Sequence, residues 1–207
     1  MDVKVKLYLQ FLVKLMKDNS KIIIIIVIFV SIWILTSCVQ NPIVIDDYDL
    51  YSSFEEKSDD KSFFQDTVNN KFLINGGNQQ SDLDSKSGTF SVLTTPKSKY
   101  SLSTEFIGVK KDCYVTASVW RKGNNGHLAA TITDYNGYIS TKDPIEVDSN
   151  GWGKIFLEFH IPPISDYPTL KFYVWNSGSD SVYFDDYSNI IKEHKTLPIY
   201  NERTFFT

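Results

Sequence analysis

Cys113-Tyr114-Val115-Thr116-Ala117-Ser118-Val119-Trp120-Arg121 alternates small or apolar side chains (Cys113, Val115, Ala117, Val119) with polar or aromatic ones (Tyr114, Thr116, Ser118, Trp120). An extended backbone sends successive side chains to opposite faces, so the first set is predicted to face a core and the second to face outward. The same period of two recurs downstream. Ile155, Leu157, Phe159 and Ile161 alternate with Phe156, Glu158 and His160, and Leu170, Phe172 and Val174 alternate with Lys171, Tyr173 and Trp175.

Turn punctuation separates these runs: Asn75-Gly76-Gly77-Asn78, Ser87-Gly88, Lys122-Gly123-Asn124-Asn125-Gly126, Tyr135-Asn136-Gly137, Ser149-Asn150-Gly151, Pro162-Pro163 and Asn176-Ser177-Gly178. Short apolar runs broken at intervals of roughly 10 to 25 residues indicate an all-β sandwich. Aromatic residues make up 14 % of the chain, and Val, Ile, Thr and Ser are frequent after residue 85, a composition that fits pleated, half-buried surfaces. Neither a long amphipathic helical pattern nor an internal repeat follows residue 38.

Upstream lies a different kind of segment. Lys21 precedes an apolar run from Ile22 to Leu35, 14 residues long, followed by Thr36-Ser37-Cys38. That length suits the apolar part of a signal peptide and falls short of the ~20 residues a spanning helix needs. Leu35-Thr36-Ser37-Cys38 resembles the lipobox of bacterial lipoproteins. The resemblance implies a signal-peptide helix over 1–37, cleavage before Cys38, and diacylglycerol and palmitate on that cysteine, each buried methylene contributing about 0.8 kcal/mol of membrane affinity. Met16 offers a second start with its own basic segment, so Met1 and Met16 both stand as start codons. A polar, acidic tether is expected over 38–50, a globular domain over 51–193 and an extended tail over 194–207.

Removing residues 1–37 leaves 16 Lys+Arg against 23 Asp+Glu, a formal charge of −7 for the remaining 170 residues. Nucleic acid is thereby disfavoured as a partner, because phosphate binding relies on clustered cations. With Cys38 acylated, Cys113 has no second cysteine to pair with, and a small core side chain is the role expected of it.

A broader resemblance rests on motif order: Phe54-Glu55-Glu56, Ser87-Gly88-Thr89-Phe90-Ser91, Tyr114 to Arg121, Asn150-Gly151-Trp152, Phe159-His160-Ile161-Pro162 and Val182-Tyr183-Phe184-Asp185-Asp186. Together these resemble the β-jelly-roll carbohydrate-binding modules of the galactose-binding-like superfold, from about Tyr51 to Lys192. The resemblance implies that first and last strands pair and that Glu55 and Asp185, one from each, hold a structural calcium with backbone carbonyls. It also implies that outward aromatic rings, here Trp120, Tyr173 and Trp175, stack on sugar rings, while Arg121, His127 and His160 supply hydrogen bonds. Trp152 is expected to be structural.

Catalytic signatures are absent from the sequence after Cys38: no nucleophile elbow, zinc-protease helix, P-loop or dinucleotide fingerprint occurs. Glu146 and Glu158 share only their residue type with a glycosidase pair. The expectation is therefore a non-catalytic, lipid-anchored protein of the bacterial cell envelope that binds a glycan. The alternative is the same fold as a structural or protein-interaction module within an envelope complex.

Overall fold

The computed structural model describes residues 47–133, 137–161 and 168–193. The chain divides into two compact units, Met1–Asn41 and Pro42–Thr207. The first unit, the lipidation expected at Cys38 and the tail expected over 194–207 lie outside the described residues.

The second unit is built from strands β1 (Asp47–Ser52), β2 (Phe63–Asp66), β3 (Lys71–Asn75), β4 (Gln80–Ser81), β5 (Ser91–Thr94), β6 (Tyr100–Phe106), β7 (Cys113–Lys122), β8 (Gly126–Ile132), β9 (Gly137–Thr141), β10 (Pro144–Val147), β11 (Trp152–His160), β12 (Leu170–Asn176) and β13 (Val182–Glu193). They form two antiparallel sheets. One runs β10-β11-β7-β13-β5-β4, with β1 also paired to β13; the other runs β2-β3-β6-β12-β8-β9. This is the all-β sandwich that the alternating runs predict, with the jelly-roll form that the family resemblance implies.

Burial follows the period of two. In β7, Cys113, Val115, Ala117 and Val119 are buried while Tyr114, Thr116, Ser118 and Trp120 are half-exposed. In β11 and β12 the buried sets are Ile155, Leu157 and Phe159, and Leu170, Phe172 and Val174. These side chains meet between the sheets: Phe159 of β11 lies 6.2 Å from Phe172 of β12, ring centre to ring centre. A polar clasp crosses the same space. The hydroxyl of buried Tyr187 on β13 lies 2.7 Å from Thr104 Oγ1 on β6, and Asn189 Nδ2 donates to both, at 2.6 and 3.1 Å. Inside a low-dielectric core such a network fixes how one sheet sits on the other.

The first and last strands pair, Asp47 opposite Lys192 through Ser52 opposite Tyr187. Two sequence expectations are corrected here. Asp47–Leu50, assigned to the tether, already lie in β1, because Leu50 is buried in the core. Glu55 lies beyond the first strand, in the bend where Phe54 takes a positive φ of 61° and packs its ring 4.8 Å from that of Phe64.

Two glycines of the turns have identifiable causes. Gly76 has φ 124°, a conformation that a Cβ disfavours. Gly126 follows the crossing from β7 to β8, where a Cβ would run into Phe184, Val182 and Arg121.

Candidate functional site

The outward face of the six-stranded sheet carries aromatic and amide side chains in register. Trp175 on β12 is paired with Tyr100 on β6 and His127 on β8. The next row runs Phe63-Asn75-Ser103-Tyr173 from the edge of the sheet towards its middle. A third row sets Lys171 between Glu105 and Thr131, with Tyr138 beyond. The rings of the first row are stacked: His127 on Trp175 at 4.4 Å and 20°, Trp175 on Tyr100 at 6.3 Å and 23°. Tyr173 leans on Tyr100 at 6.1 Å.

An open groove of about 500 Å³ lies beside these rings. Tyr100, Tyr173 and Lys171 line it together with Asn75, Asn78, Gln79, Ser98, Ser101 and Ser103. Tyr100 is 65 % exposed, so a large aromatic face stands open to a ligand. Burial, and then the neighbouring Tyr138 and Tyr100 hydroxyls, push the Tyr173 hydroxyl up, so it stays a neutral donor. His127 is held below its ordinary value by burial and by Lys142 and Arg121, and its Nε2 lies 3.0 Å from Ser177 Oγ. Flat apolar rings next to a wall of amides and hydroxyls can cover the apolar face of a sugar ring while exchanging hydrogen bonds with its hydroxyls.

Of the residues expected to contact a ligand, Tyr173 and Trp175 come together on this face. Trp120 does not join them. It lies on β7 in the opposite sheet, where the Lys86 ammonium sits over its ring at 4.3 Å and is also held by Asp148 Oδ2 at 3.1 Å. Arg121 is corrected as well: it points inward, 7 % exposed, and its Nη1 donates to the carbonyls of Asn124, Gly126 and Lys142 at 3.2, 3.1 and 2.9 Å. Its work is to tie two loops to the end of β7. His160 faces outward on β11, also in the other sheet. Trp152 is buried, as expected of a structural side chain. The sequence reading passed over Tyr100, although Tyr100–Phe106 shows the same alternation, with Leu102, Thr104 and Phe106 turned inward.

Glu55 and Asp185 act on one loop from two sides. Glu55 Oε1 accepts the amide hydrogens of Thr89 and Phe90 at 3.0 and 2.9 Å. Asp185 Oδ2 accepts those of Lys86 and Ser87 at 2.8 and 3.2 Å, and its Oδ1 accepts that of Asp186 at 2.7 Å. Gly88, at φ 58°, stands between, where a Cβ would strike the Glu55 carboxylate. Burial pushes the Asp185 carboxyl up to about 7, despite the amides that favour its charged form. Calcium takes 6–8 oxygen ligands aimed at one point. Here three of the four carboxylate oxygens, Glu55 Oε1 and both of Asp185, already accept amide hydrogens, and among the described residues no group of three or more His, Cys, Asp or Glu could hold a metal ion. This arrangement orders the loop through its own amides, without calling on the calcium expected at Glu55 and Asp185.

No protein-family model and no curated protein matches this chain. Solved structures of similar shape include the CBM22-1–GH10 modules of endo-1,4-β-D-xylanase 10B from Clostridium thermocellum, complexed with xylohexaose. That likeness has a TM-score of 0.45 at 13 % identity and covers 76 % of this chain and 30 % of the other. The CBM22-1–CBM22-2 tandem domain from Paenibacillus barcinonensis Xyn10C has a TM-score of 0.46 at 13 % identity, covering 75 % of this chain and 48 % of that one. The enzymatically active domain of bacteriophage CBA120 tailspike protein 4 has a TM-score of 0.39 at 10 % identity, covering 70 % and 19 %. This chain spans less than half the length of each of these three.

Proposed function

We propose that the protein binds a glycan chain along the outward face of its six-stranded sheet, without catalysis, and that Cys38 carries the lipid that holds it at the bacterial cell envelope. One observation carries the glycan reading: Tyr100 and Tyr173 line a groove walled by amides and hydroxyls, and Trp175 and His127 continue the stacked row of rings beyond Tyr100. A polymer lying across β6, β12 and β8, strands about 4.8 Å apart, would meet one ring or amide at each strand. The lipobox-like Leu35-Thr36-Ser37-Cys38 supports the anchoring.

Affinity electrophoresis and calorimetry against a panel of soluble polysaccharides test the binding; retardation by at least one polymer, weakened by Tyr100→Ala, is expected. Uniform absence of retardation would refute it. Mass spectrometry of membrane-extracted protein tests the anchor, an unmodified Cys38 thiol behind an intact leader being the refuting result.

A second reading, a protein-interaction module, is favoured by a different observation. Ile145 and Val147 on the edge strand β10 are 65 % and 62 % exposed. Exposed apolar edge strands invite pairing with another chain. Charged replacements at both positions would abolish partner capture on this reading and leave glycan retention untouched.

A further inference from the structure

We propose that the glycan taken by this groove carries carboxylate groups, as a hexuronate-bearing polysaccharide does, and that the Lys171 ammonium is what reads them. The inference rests on the glycan reading above and narrows it. Lys171 is the charged side chain among those that line the groove; the rest of the lining is amide, hydroxyl, aromatic and one leucine. It stands exposed on the same face of β12 as Tyr173, two residues along, a spacing of about 6.6 Å. A carboxylate on a sugar stacked at Tyr173 therefore comes within reach of a flexible ammonium.

Lys171 is free to meet a ligand because it serves no internal acid, unlike four other lysines. Lys86, Lys110, Lys122 and Lys192 each hold a carboxylate, from Asp148, Glu193, Asp84 and Asp49. Lys171 faces Glu105 across the β6–β12 pairing, yet no carboxylate of the described residues lies within the 4.0 Å of an ion pair. Lys97 and Lys99 flank Ser98 on the groove wall and are exposed too. The chain as a whole carries a net charge of −4, so a groove lined by a cation and no acid departs locally from its background. A groove meant for a neutral polymer could be lined by amides and hydroxyls throughout.

Matched polymer pairs test this by affinity electrophoresis of the wild-type chain, Lys171→Gln and Tyr100→Ala: carboxymethylcellulose against hydroxyethylcellulose, and polygalacturonate against its fully methyl-esterified form. The expected result is stronger retardation by an acidic polymer than by its neutral mate, about two-fold to five-fold in dissociation constant for an exposed ion pair. Lys171→Gln should erase that difference, and so should high salt. Equal retardation within a pair, unchanged in Lys171→Gln but weakened in Tyr100→Ala, overturns the carboxylate inference and leaves the glycan reading standing. Absence of retardation by all four polymers overturns both.

Discussion

Tyr100→Ala isolates the aromatic contribution to binding from the stability of the fold. A tyrosine side chain offers roughly 200 Å² when fully exposed, and at 65 % exposure about 130 Å² remains open. A sugar ring laid on one face covers about half of that, roughly 65 Å². At about 25 cal/mol per Å² the lost contact amounts to about 1.6 kcal/mol, or about 15-fold in dissociation constant. Folding suffers less, because Tyr100 touches Tyr173 and Trp175 only at ring distances of 6.1 and 6.3 Å. Calorimetric titration with the polysaccharide that retards the wild-type chain reads the first quantity, and urea unfolding reads the second. Tyr100→Phe should bind within about two-fold of wild type, since the face and not the hydroxyl makes the contact. A Tyr100→Ala variant that is folded and binds as tightly as the wild type would refute the assignment of this face as the binding surface.

Other outcomes follow from buried polar groups. Arg121→Met should cost about 2–4 kcal/mol in urea unfolding, because it strips the Asn124, Gly126 and Lys142 carbonyls of one shared donor. Tyr187→Phe should cost about 1–2 kcal/mol, leaving Thr104 and Asn189 without the hydroxyl that joins them. The Asp185 carboxyl, raised from 3.8 to about 7, holds its proton in the folded chain where the unfolded chain has lost it. Its contribution is therefore fully present below about pH 4 and lost as pH rises through 7, a few kcal/mol at most. The difference in unfolding free energy between wild type and Asp185→Asn, followed from pH 4 to 8, should shrink in that direction; a difference independent of pH counts against it. Adding a calcium chelator should leave the melting temperature unchanged, since an ion that is not bound gives no mass-action stabilisation. A drop on chelation would show that Glu55 and Asp185 serve an ion after all.

Much of the architecture was legible because a strand exposes its environment through a period of two. Cys113 to Arg121, Ile155 to Ile161 and Leu170 to Trp175 each reveal an inner and an outer face without reference to any other segment. The pairing of the first and last strands came from the family resemblance. Roles at the strand ends were less legible. Arg121 continues the inward set of Cys113, Val115, Ala117 and Val119, and the alternation alone pointed to its burial, although charge suggested a ligand contact. Glu55 and Asp185 belong together, but their shared object is a run of loop amides whose positions depend on a fold over residues 82–90.

The sequence by itself determined which residues of β7, β11 and β12 face the core and where several of the turns between strands fall. Only the tertiary structure decided which sheet each strand joins, and that separates Trp120 from Trp175, brings Tyr100 and Tyr173 to one groove and stacks His127 on Trp175 beside it. The physical reason is that side-chain alternation is set by the local backbone, whereas strand neighbours are chosen by long-range hydrogen bonding and by the fit of two buried faces, which no single run of residues contains.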